Sequence, residues 1–162
     1  MMWIIAIFIV VIGCFGYVLL FGAPYLPTLR AQQVTALELL DLKPGQTLVE
    51  LGSGDGRMLA AAAQQGVHGI GYELNPLLVL YSRWKLRKFR ELTEVRFANF
   101  WNSKLPECDG IYVFLLEKYM KKLDTKIIHE HHKPLRLVSF AFSIPNKKHV
   151  TEKNGLYAYM YD

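Results

Sequence analysis

Short apolar runs, separated by polar or amphipathic segments, recur through most of the chain. Runs of this kind bounded by turn residues are typical of strands, and they fall at residues 47–51, 67–73, 94–98, 109–115, 135–142 and 156–161. Strands that alternate with helical segments form a parallel sheet with helices on both faces. The polar connection 145–155 allows the last strand to be antiparallel. We therefore predict an α/β fold built on one sheet.

Helices are predicted at residues 31–40, after Met58, after Asn75 and at 118–129. Asn75-Pro76 marks a helix start, because Asn accepts a free N–H of the first turn and Pro fits the first helical position. The buried stripe of this helix is predicted at every third or fourth residue, namely Leu77, Leu80, Tyr81 and Trp84.

The start of the chain is almost wholly apolar, and the first charged residue is Arg30. About 20 apolar residues span a bilayer core as a helix. A cleaved signal peptide is the alternative, but it needs a basic start, which is absent, and a better cleavage site than Gly22-Ala23-Pro24. We predict three regions, which are a transmembrane anchor at 1–22, a proline-containing segment at 23–30 and a folded domain at 31–162.

All 19 Lys and Arg residues follow residue 29, beside 14 acids, so the folded domain carries the net charge of +5. Arg30 and Lys43 are the basic residues nearest the anchor, which places the domain on the cytoplasmic side, or the matrix side in a mitochondrion. The densest basic run is either a solvated helix face or a contact with anionic lipid headgroups, and comprises Arg83, Lys85, Arg87, Lys88 and Arg90. Nucleic acid is not the predicted partner, because no aromatic platform is interleaved with this run.

Three glycines at every second residue form the most informative motif of the chain. Gly52, Gly54 and Gly56 follow the first predicted strand and precede a strongly helix-forming segment. Such a loop turns tightly and lets a ligand lie against the backbone. The carboxylates of Glu50 and Asp55 flank it and would repel a pyrophosphate at the helix N-terminus. They suit a cofactor that carries an ammonium and a sulfonium, so the loop predicts S-adenosylmethionine rather than NAD or ATP.

A carboxylate at the end of the second predicted strand also supports a cofactor that contains a nucleoside. The predicted strand 67–73 ends in Glu73, where the ribose of a cofactor lies in a nucleotide-binding sheet.

The glycine loop and Glu73 resemble the first two motifs of class I, seven-β-strand methyltransferases. A longer and more specific match comprises Gly22-Ala23-Pro24-Tyr25-Leu26-Pro27-Thr28, Leu51-Gly52-Ser53-Gly54-Asp55-Gly56-Arg57 and Gly71-Tyr72-Glu73-Leu74-Asn75-Pro76, followed by Tyr81-Ser82-Arg83. Together they resemble the membrane-anchored protein-lysine methyltransferases of the mitochondrial ADP/ATP carrier and the ATP synthase c subunit, and their prokaryotic relatives. The resemblance covers residues 22–101 and implies a Rossmann-like methyltransferase sheet.

The resemblance also implies cofactor-binding residues. Gly52, Ser53, Gly54 and Gly56 would line the methionine part of S-adenosylmethionine, and Glu50 would bind its amino group. Glu73 would accept both ribose hydroxyls, and Leu74 would pack near the adenine. Asn99, followed by Phe100, takes the position of an Asp-aromatic pair that often contacts the adenine amine. Because Asn replaces the Asp, the hydrogen bond to the adenine amine is expected to be weaker than with Asp.

Tyr25 and Glu117 are the candidate catalytic residues, expected to steer the acceptor amine. For Glu117 the alternative is a helix N-terminal charge that the helix dipole favours. Methyl transfer from a sulfonium depends on position and exclusion of water, so neither a catalytic triad nor a metal is expected. The contiguous residues 129–132, His-Glu-His-His, lack the spacing of four that two metal ligands on one helix normally have.

The predicted function is N-methylation of a lysine in a membrane protein by a membrane-tethered enzyme. Two alternatives remain open at this point. One is a methyltransferase for a lipid headgroup or a small hydrophobic amine, and the other is an inactive adaptor that binds S-adenosylmethionine.

Overall fold

The computed structural model describes residues 3–5, 13 and 29–162. The predicted anchor at 1–22 and most of the segment at 23–30, including Tyr25, therefore lie outside the described residues. Within the described part of the chain, no helix is both long enough and apolar enough to cross a membrane.

The domain alternates strands and helices as the sequence predicts. The helices are α1 (Arg30–Leu40), α2 (Arg57–Ala63), α3 (Pro76–Lys85) and α4 (Glu117–Glu130), with a 3-10 helix at Leu86–Phe89. The strands are β1 (Thr47–Leu51), β2 (His68–Glu73), β3 (Thr93–Phe97), β4 (Gly110–Val113), β5 (Leu135–Phe140), β6 (Thr151–Lys153) and β7 (Leu156–Tyr161). The short strand β6 was not predicted, because its three residues are all exposed and give no apolar signal.

All seven strands form one sheet in the order β3-β2-β1-β4-β5-β7-β6. The strands from β3 to β5 are parallel, and β7 runs antiparallel between β5 and β6. The predicted α/β class and the antiparallel finish are confirmed. Since the carboxyl ends of parallel strands meet at one edge, the loops after β1, β2, β3 and β4 lie together there.

The two faces of the sheet bury separate cores. Side chains alternate along β1, so Leu48 packs against α1 and α2 whereas Val49 and Leu51 pack on the face covered by α4. Helix α3 lies on the α2 side, since its Val79 packs with Leu59 of α2. These two layers hold the loops at the carboxyl edge in position.

The predicted buried stripe of α3 is wrong. Leu80, Tyr81 and Trp84 are 65%, 49% and 60% exposed, and Val79 and Ser82 are the buried residues of this helix. The predicted start of the helix is confirmed, since the Asn75 side chain accepts hydrogen bonds from the N–H groups of Leu77 and Leu78. The stripe was misassigned because α3 buries its small residues against the sheet, leaving its largest apolar side chains on the outside.

Cys108 lies in the core, where burial raises the pKa of its thiol to about 12, with a further contribution from the charge of Asp109. At neutral pH it is a protonated, buried thiol, and a thiol of this kind is chemically inert.

Candidate cofactor site

The loop between β1 and α2 has its glycines in the left-handed region, with φ of +90° at Gly52, +53° at Gly54 and +73° at Gly56. The three positions have different surroundings. A Cβ added at Gly52 would meet no heavy atom within 4 Å, so this part of the loop borders open space. A Cβ at Gly56 would come within 2.8 Å of the Leu86 side chain. Gly52 therefore leaves room for a ligand against the backbone, whereas Gly56 allows the loop to pack on the 3-10 helix.

Glu73 ends β2 and binds the glycine loop through its carboxylate. One oxygen accepts the N–H of Gly54 at 2.8 Å, and the other accepts the N–H groups of Leu74 at 2.8 Å and Asn75 at 2.7 Å. The side chain is only 8% exposed. A carboxylate offers about four lone-pair positions, so two ribose hydroxyls can bind together only after at least one backbone donor leaves.

Gly71 was missed as a site residue. A Cβ at this position would lie 2.5 Å from Ser53 Oγ and 2.7 Å from a methyl group of Leu59. The loop approaches β2 this closely because the N–H groups of Gly52 and Ser53 both donate to the Tyr72 carbonyl at 2.9 Å. The sequence signal is the alternation Gly69-x-Gly71, which keeps one face of β2 free of side chains beneath the loop.

Glu50 lies in the sheet directly under this loop. It is 5% exposed, and its Oε2 atom has no hydrogen-bond partner. Burial, followed by the nearby charges of Asp55 and Glu73, raises the pKa of Glu50 well above its usual range. A buried carboxyl in this situation either keeps its proton or requires a cation. Glu50 therefore fits a ligand that brings a positive charge.

The structure changes the interpretation of Asp55. Its carboxylate forms ion pairs with Arg57 at 2.8 Å and with Lys85 at 2.7 Å. Burial alone would raise the pKa of Asp55, but the hydrogen bonds from Arg57 and Lys85 bring it below its usual range. Two cations thus compensate the charge of Asp55, and the preference of the loop for a cationic ligand depends on Glu50 and Glu73.

The residues predicted to contact adenine lie beside Glu73. The N–H of Ala98 donates to the Glu73 carbonyl at 3.2 Å and so joins the segment after β3 to the end of β2. Asn99 is half-buried, and its side-chain oxygen already accepts the Trp101 N–H at 3.0 Å. An amide oxygen has a second lone pair, so one further bond is possible.

Leu74 is half-buried, and Phe100 is 7% exposed in the core, with its ring centroid 4.6 Å from that of Trp101. The structure thus places Leu74, Asn99 and Phe100 in neighbouring loops, with Phe100 the most deeply buried of the three.

Glu117 is the first residue of α4 and is exposed at the carboxyl edge of the sheet. Its position agrees both with the predicted contact to an acceptor amine and with the alternative of a helix N-terminal charge. Among residues 29–162, no group of three or more His, Cys, Asp or Glu side chains could hold a metal ion.

These atoms fit the predicted cofactor. The unpaired oxygen of Glu50, a buried Ser53 hydroxyl without a hydrogen-bond partner and the open space beside Gly52 lie in one loop region. A ligand that supplies an ammonium group and a hydrogen-bond partner would satisfy both buried oxygens.

The sheet and this loop define the Rossmann-like methyltransferase fold. An RNA methyltransferase from Salinibacter ruber, solved in complex with S-adenosyl-L-homocysteine, has a TM-score of 0.76 and 26% identity, covering 84% of this chain and 92% of that chain. The chain belongs to the family described as the ANTKMT methyltransferase domain, which matches residues 50–151.

Two curated relatives are lysine methyltransferases by name. The human lysine N-methyltransferase of the ATP synthase c subunit is 30% identical over 86% of this chain and 61% of its own length. The mouse adenine nucleotide translocase lysine N-methyltransferase is 36% identical over 75% of this chain and 54% of its own length. The chain thus spans little more than half the length of these relatives.

Proposed function

We propose that this protein binds S-adenosylmethionine and transfers its methyl group to a lysine of a membrane protein. The observation that carries the proposal is the family match over residues 50–151, which includes both the glycine loop and Glu73. The relatives named for the ATP synthase c subunit and the adenine nucleotide translocase support lysine as the acceptor and a membrane protein as the substrate.

The cofactor would be held by the loop region already described. Gly52, Ser53, Gly54 and Gly56 would contact its methionine part, and Glu50 its ammonium group. Glu73 would accept the ribose hydroxyls, while the adenine would lie between Leu74 and the Asn99-Phe100 turn. When bound, S-adenosylmethionine supplies a methyl group that is activated by the positive sulfonium and needs no further activation by the protein.

The protein would contribute position and exclusion of water. An acceptor lysine reacts as the neutral amine, and desolvation lowers the pKa of its ammonium. Glu117 lies at the edge where such an amine would enter, and Tyr25, outside the described residues, would approach from the segment before α1. Both would orient the amine, while the N–C bond forms as the S–C bond of the sulfonium breaks.

Residues 1–22 would anchor the protein in a bilayer, and residues 23–30 would connect this anchor to the domain at 31–162. The anchor is proposed from its apolar composition, since it lies outside the described residues. With Arg30 and Lys43 as the nearest basic residues, the domain would lie on the cytoplasmic side, or the matrix side in a mitochondrion.

The proposal is tested by incubating the full-length protein and methyl-labelled S-adenosylmethionine with membranes from a strain that lacks it. We expect label in a protein band, released as methylated lysine after hydrolysis, and none with the Glu73→Ala variant. Label in the lipid extract would instead indicate a headgroup or small-amine methyltransferase. Cofactor binding without any transfer would indicate an inactive adaptor.

RNA methylation is a second candidate function, because the Salinibacter ruber RNA methyltransferase aligns over 92% of its own length. Total RNA from the same strain, added as a parallel substrate, separates the two. Labelled RNA together with unlabelled protein would replace the lysine proposal.

A further inference from the structure

Helix α3 carries an exposed face formed by Leu80, Tyr81 and Trp84, here called the aromatic face. The rings of Tyr81 and Trp84 are in contact, with centroids 6.0 Å apart. Large apolar side chains grouped on a surface mark an interaction site more often than single exposed ones do. Leu80 and these two rings are therefore suited to contact an apolar surface or a membrane interface.

A cleft of about 340 Å³ adjoins the aromatic face, between α3, the 3-10 helix and strand β3 at the free edge of the sheet. We call it the arginine cleft, because four arginines and one acidic residue, Glu94, are among the residues that line it; the arginines are Arg83, Arg87, Arg90 and Arg96. Its lining is therefore strongly positive. The two surfaces are continuous, since the Arg87 guanidinium lies 4.6 Å from the Trp84 ring and also lines the cleft.

The basic run from Arg83 to Arg90 is divided between two roles. Arg83 donates to the Val95 carbonyl at 3.0 and 2.7 Å, and Lys85 is paired with Asp55, so both are engaged in holding the fold. Arg87 and Arg90 are exposed at the cleft, and the Arg90 side chain is 82% exposed. Their own contacts are local, since Arg87 donates to the Trp84 carbonyl at 3.0 Å and Arg90 lies 3.6 Å from the Glu91 carboxylate. A ligand can therefore reach these two arginines without breaking the contacts by which Arg83 and Lys85 hold the fold.

Arg96 belongs to the structural group. It donates to both carboxylate oxygens of Glu94 at 2.8 Å and to the Tyr72 hydroxyl at 3.0 Å. Its charge is partly compensated by Glu94, so it is less available to a ligand than Arg87 and Arg90.

We propose that the arginine cleft binds the phosphate of an anionic phospholipid while the aromatic face enters the bilayer interface. A guanidinium group can donate two parallel hydrogen bonds to the oxygens of one phosphate, which fixes their relative geometry. Trp and Tyr are enriched at membrane interfaces, where their rings are apolar and their polar atoms stay hydrated. Basic residues add attraction to a negative leaflet. The positive cleft is thus complementary to the phosphate of an anionic lipid, and the aromatic face is complementary to the apolar part of the interface.

A bilayer explains the whole surface better than RNA does. The prediction that no aromatic platform accompanies the basic run is wrong, since Tyr81 and Trp84 lie exposed beside it. Bases would stack on such rings, but Arg87 already covers the Trp84 ring, and Leu80 offers no stacking face. The proposal does not depend on methyl transfer, because it concerns lipid binding alone and is measured without a methyl acceptor.

The test is hydrogen–deuterium exchange of the full-length protein in nanodiscs of phosphatidylcholine, with and without about one-third phosphatidylglycerol. We expect slower exchange in residues 80–97 only when phosphatidylglycerol is present. The double variant Arg87→Gln/Arg90→Gln should lose this protection. Each basic residue at an anionic surface is worth about five- to sixfold in binding, so the pair amounts to about thirtyfold.

The matched control is Lys121→Gln/Lys148→Gln, which makes the same change of net charge at exposed positions outside the cleft. It should keep the protection. Equal protection in the Arg87/Arg90 variant, or none in the wild type, would overturn the proposal. Two further samples in phosphatidylcholine nanodiscs contain inorganic phosphate or single-stranded RNA. Protection of the same residues by phosphate alone, or by RNA and not by phosphatidylglycerol, would also overturn it, in favour of a soluble anion or a nucleic acid.

Discussion

The N–H of Gly54 donates to the carboxylate of Glu73 at 2.8 Å across 19 residues of sequence. This single bond joins the glycine loop after β1 to the end of β2. It fixes the loop before any ligand binds, and it also occupies an oxygen that a ribose would need. Cofactor binding and the stability of the loop are therefore linked through one side chain.

The Glu73→Ala variant should lose both properties. We expect cofactor affinity to fall at least about a hundredfold, because the bonds from the ribose to a charged acceptor are lost. Stability should fall by about 1–3 kcal/mol, since the N–H groups of Gly54, Leu74 and Asn75 lose their acceptor. Titration calorimetry with S-adenosylmethionine and urea unfolding measure the two effects. Glu91→Ala, which removes a carboxylate with an 83% exposed side chain outside the site, is the control.

The Glu50→Gln variant should be more stable than the wild type at neutral pH and bind the cofactor less tightly. Folding raises the pKa of Glu50 above its ordinary value of 4.5. The folded state thus holds a proton that the unfolded state releases, and this side chain costs stability as the pH rises above about 4.5. Gln removes that cost. Unfolding free energies should agree near pH 4 and diverge by pH 8.

The same substitution removes the negative partner of the cofactor's ammonium group, so affinity should fall about ten- to a hundredfold. Unchanged affinity at pH 8 in calorimetry would rule out contact between Glu50 and the ammonium.

The Gly71→Ala variant should disturb the loop at its base. The new methyl would lie 2.5 Å from Ser53 Oγ, and overpacking of this kind costs about 1–3 kcal/mol. Gly69→Ala is the matched control, because it lies on the same strand and its nearest neighbour is the flexible end of Leu59 at 3.0 Å. Urea unfolding should show the larger loss for Gly71→Ala. Adding Ser53→Gly to Gly71→Ala should restore part of it.

The ion pairs of Asp55 should stabilise the protein only above acid pH. Hydrogen bonds from Arg57 and Lys85 outweigh burial and lower the pKa of Asp55 below its ordinary 3.8. The contribution is therefore complete above about pH 4 and is lost as the pH falls through the lower folded pKa. In acid titrations, Asp55→Asn and Lys85→Met should both unfold at higher pH than the wild type. Glu91→Gln, with a side chain 83% exposed, should follow the wild type.

The Asn99→Asp variant should bind S-adenosylmethionine more tightly, by about three- to tenfold, because a charged acceptor strengthens the bond to the adenine amine. The new carboxylate can keep the bond from the Trp101 N–H, which Asn99 accepts at 3.0 Å. Asn99→Ala, which removes the side-chain acceptor, should bind more weakly than the wild type. The opposite order of affinities in calorimetry would remove Asn99 from the adenine site.

The sequence predicts the sheet well because apolar runs and turn residues carry local signals. β1 and β7 begin and end where their patterns do, and the Asn75 cap forms as expected. The prediction of the buried stripe fails for α3, since helical spacing alone cannot tell which face of the helix packs on the sheet. Leu80, Tyr81 and Trp84 have the periodicity of a core stripe but lie outside, because Val79 and Ser82 fit closer to the strands.

By itself the sequence determined the order of strands and helices, the glycine loop and the carboxylate that ends β2. These follow from backbone preferences and from spacing along one segment. Only the tertiary structure decided which charges remain available. It pairs Asp55 with Lys85 and leaves Glu50 buried without a cation, because residues 30 or more positions apart meet only after the sheet has assembled. It likewise exposes Arg87 and Arg90 beside the aromatic face, since partners for charged side chains are set by packing and not by order along the chain.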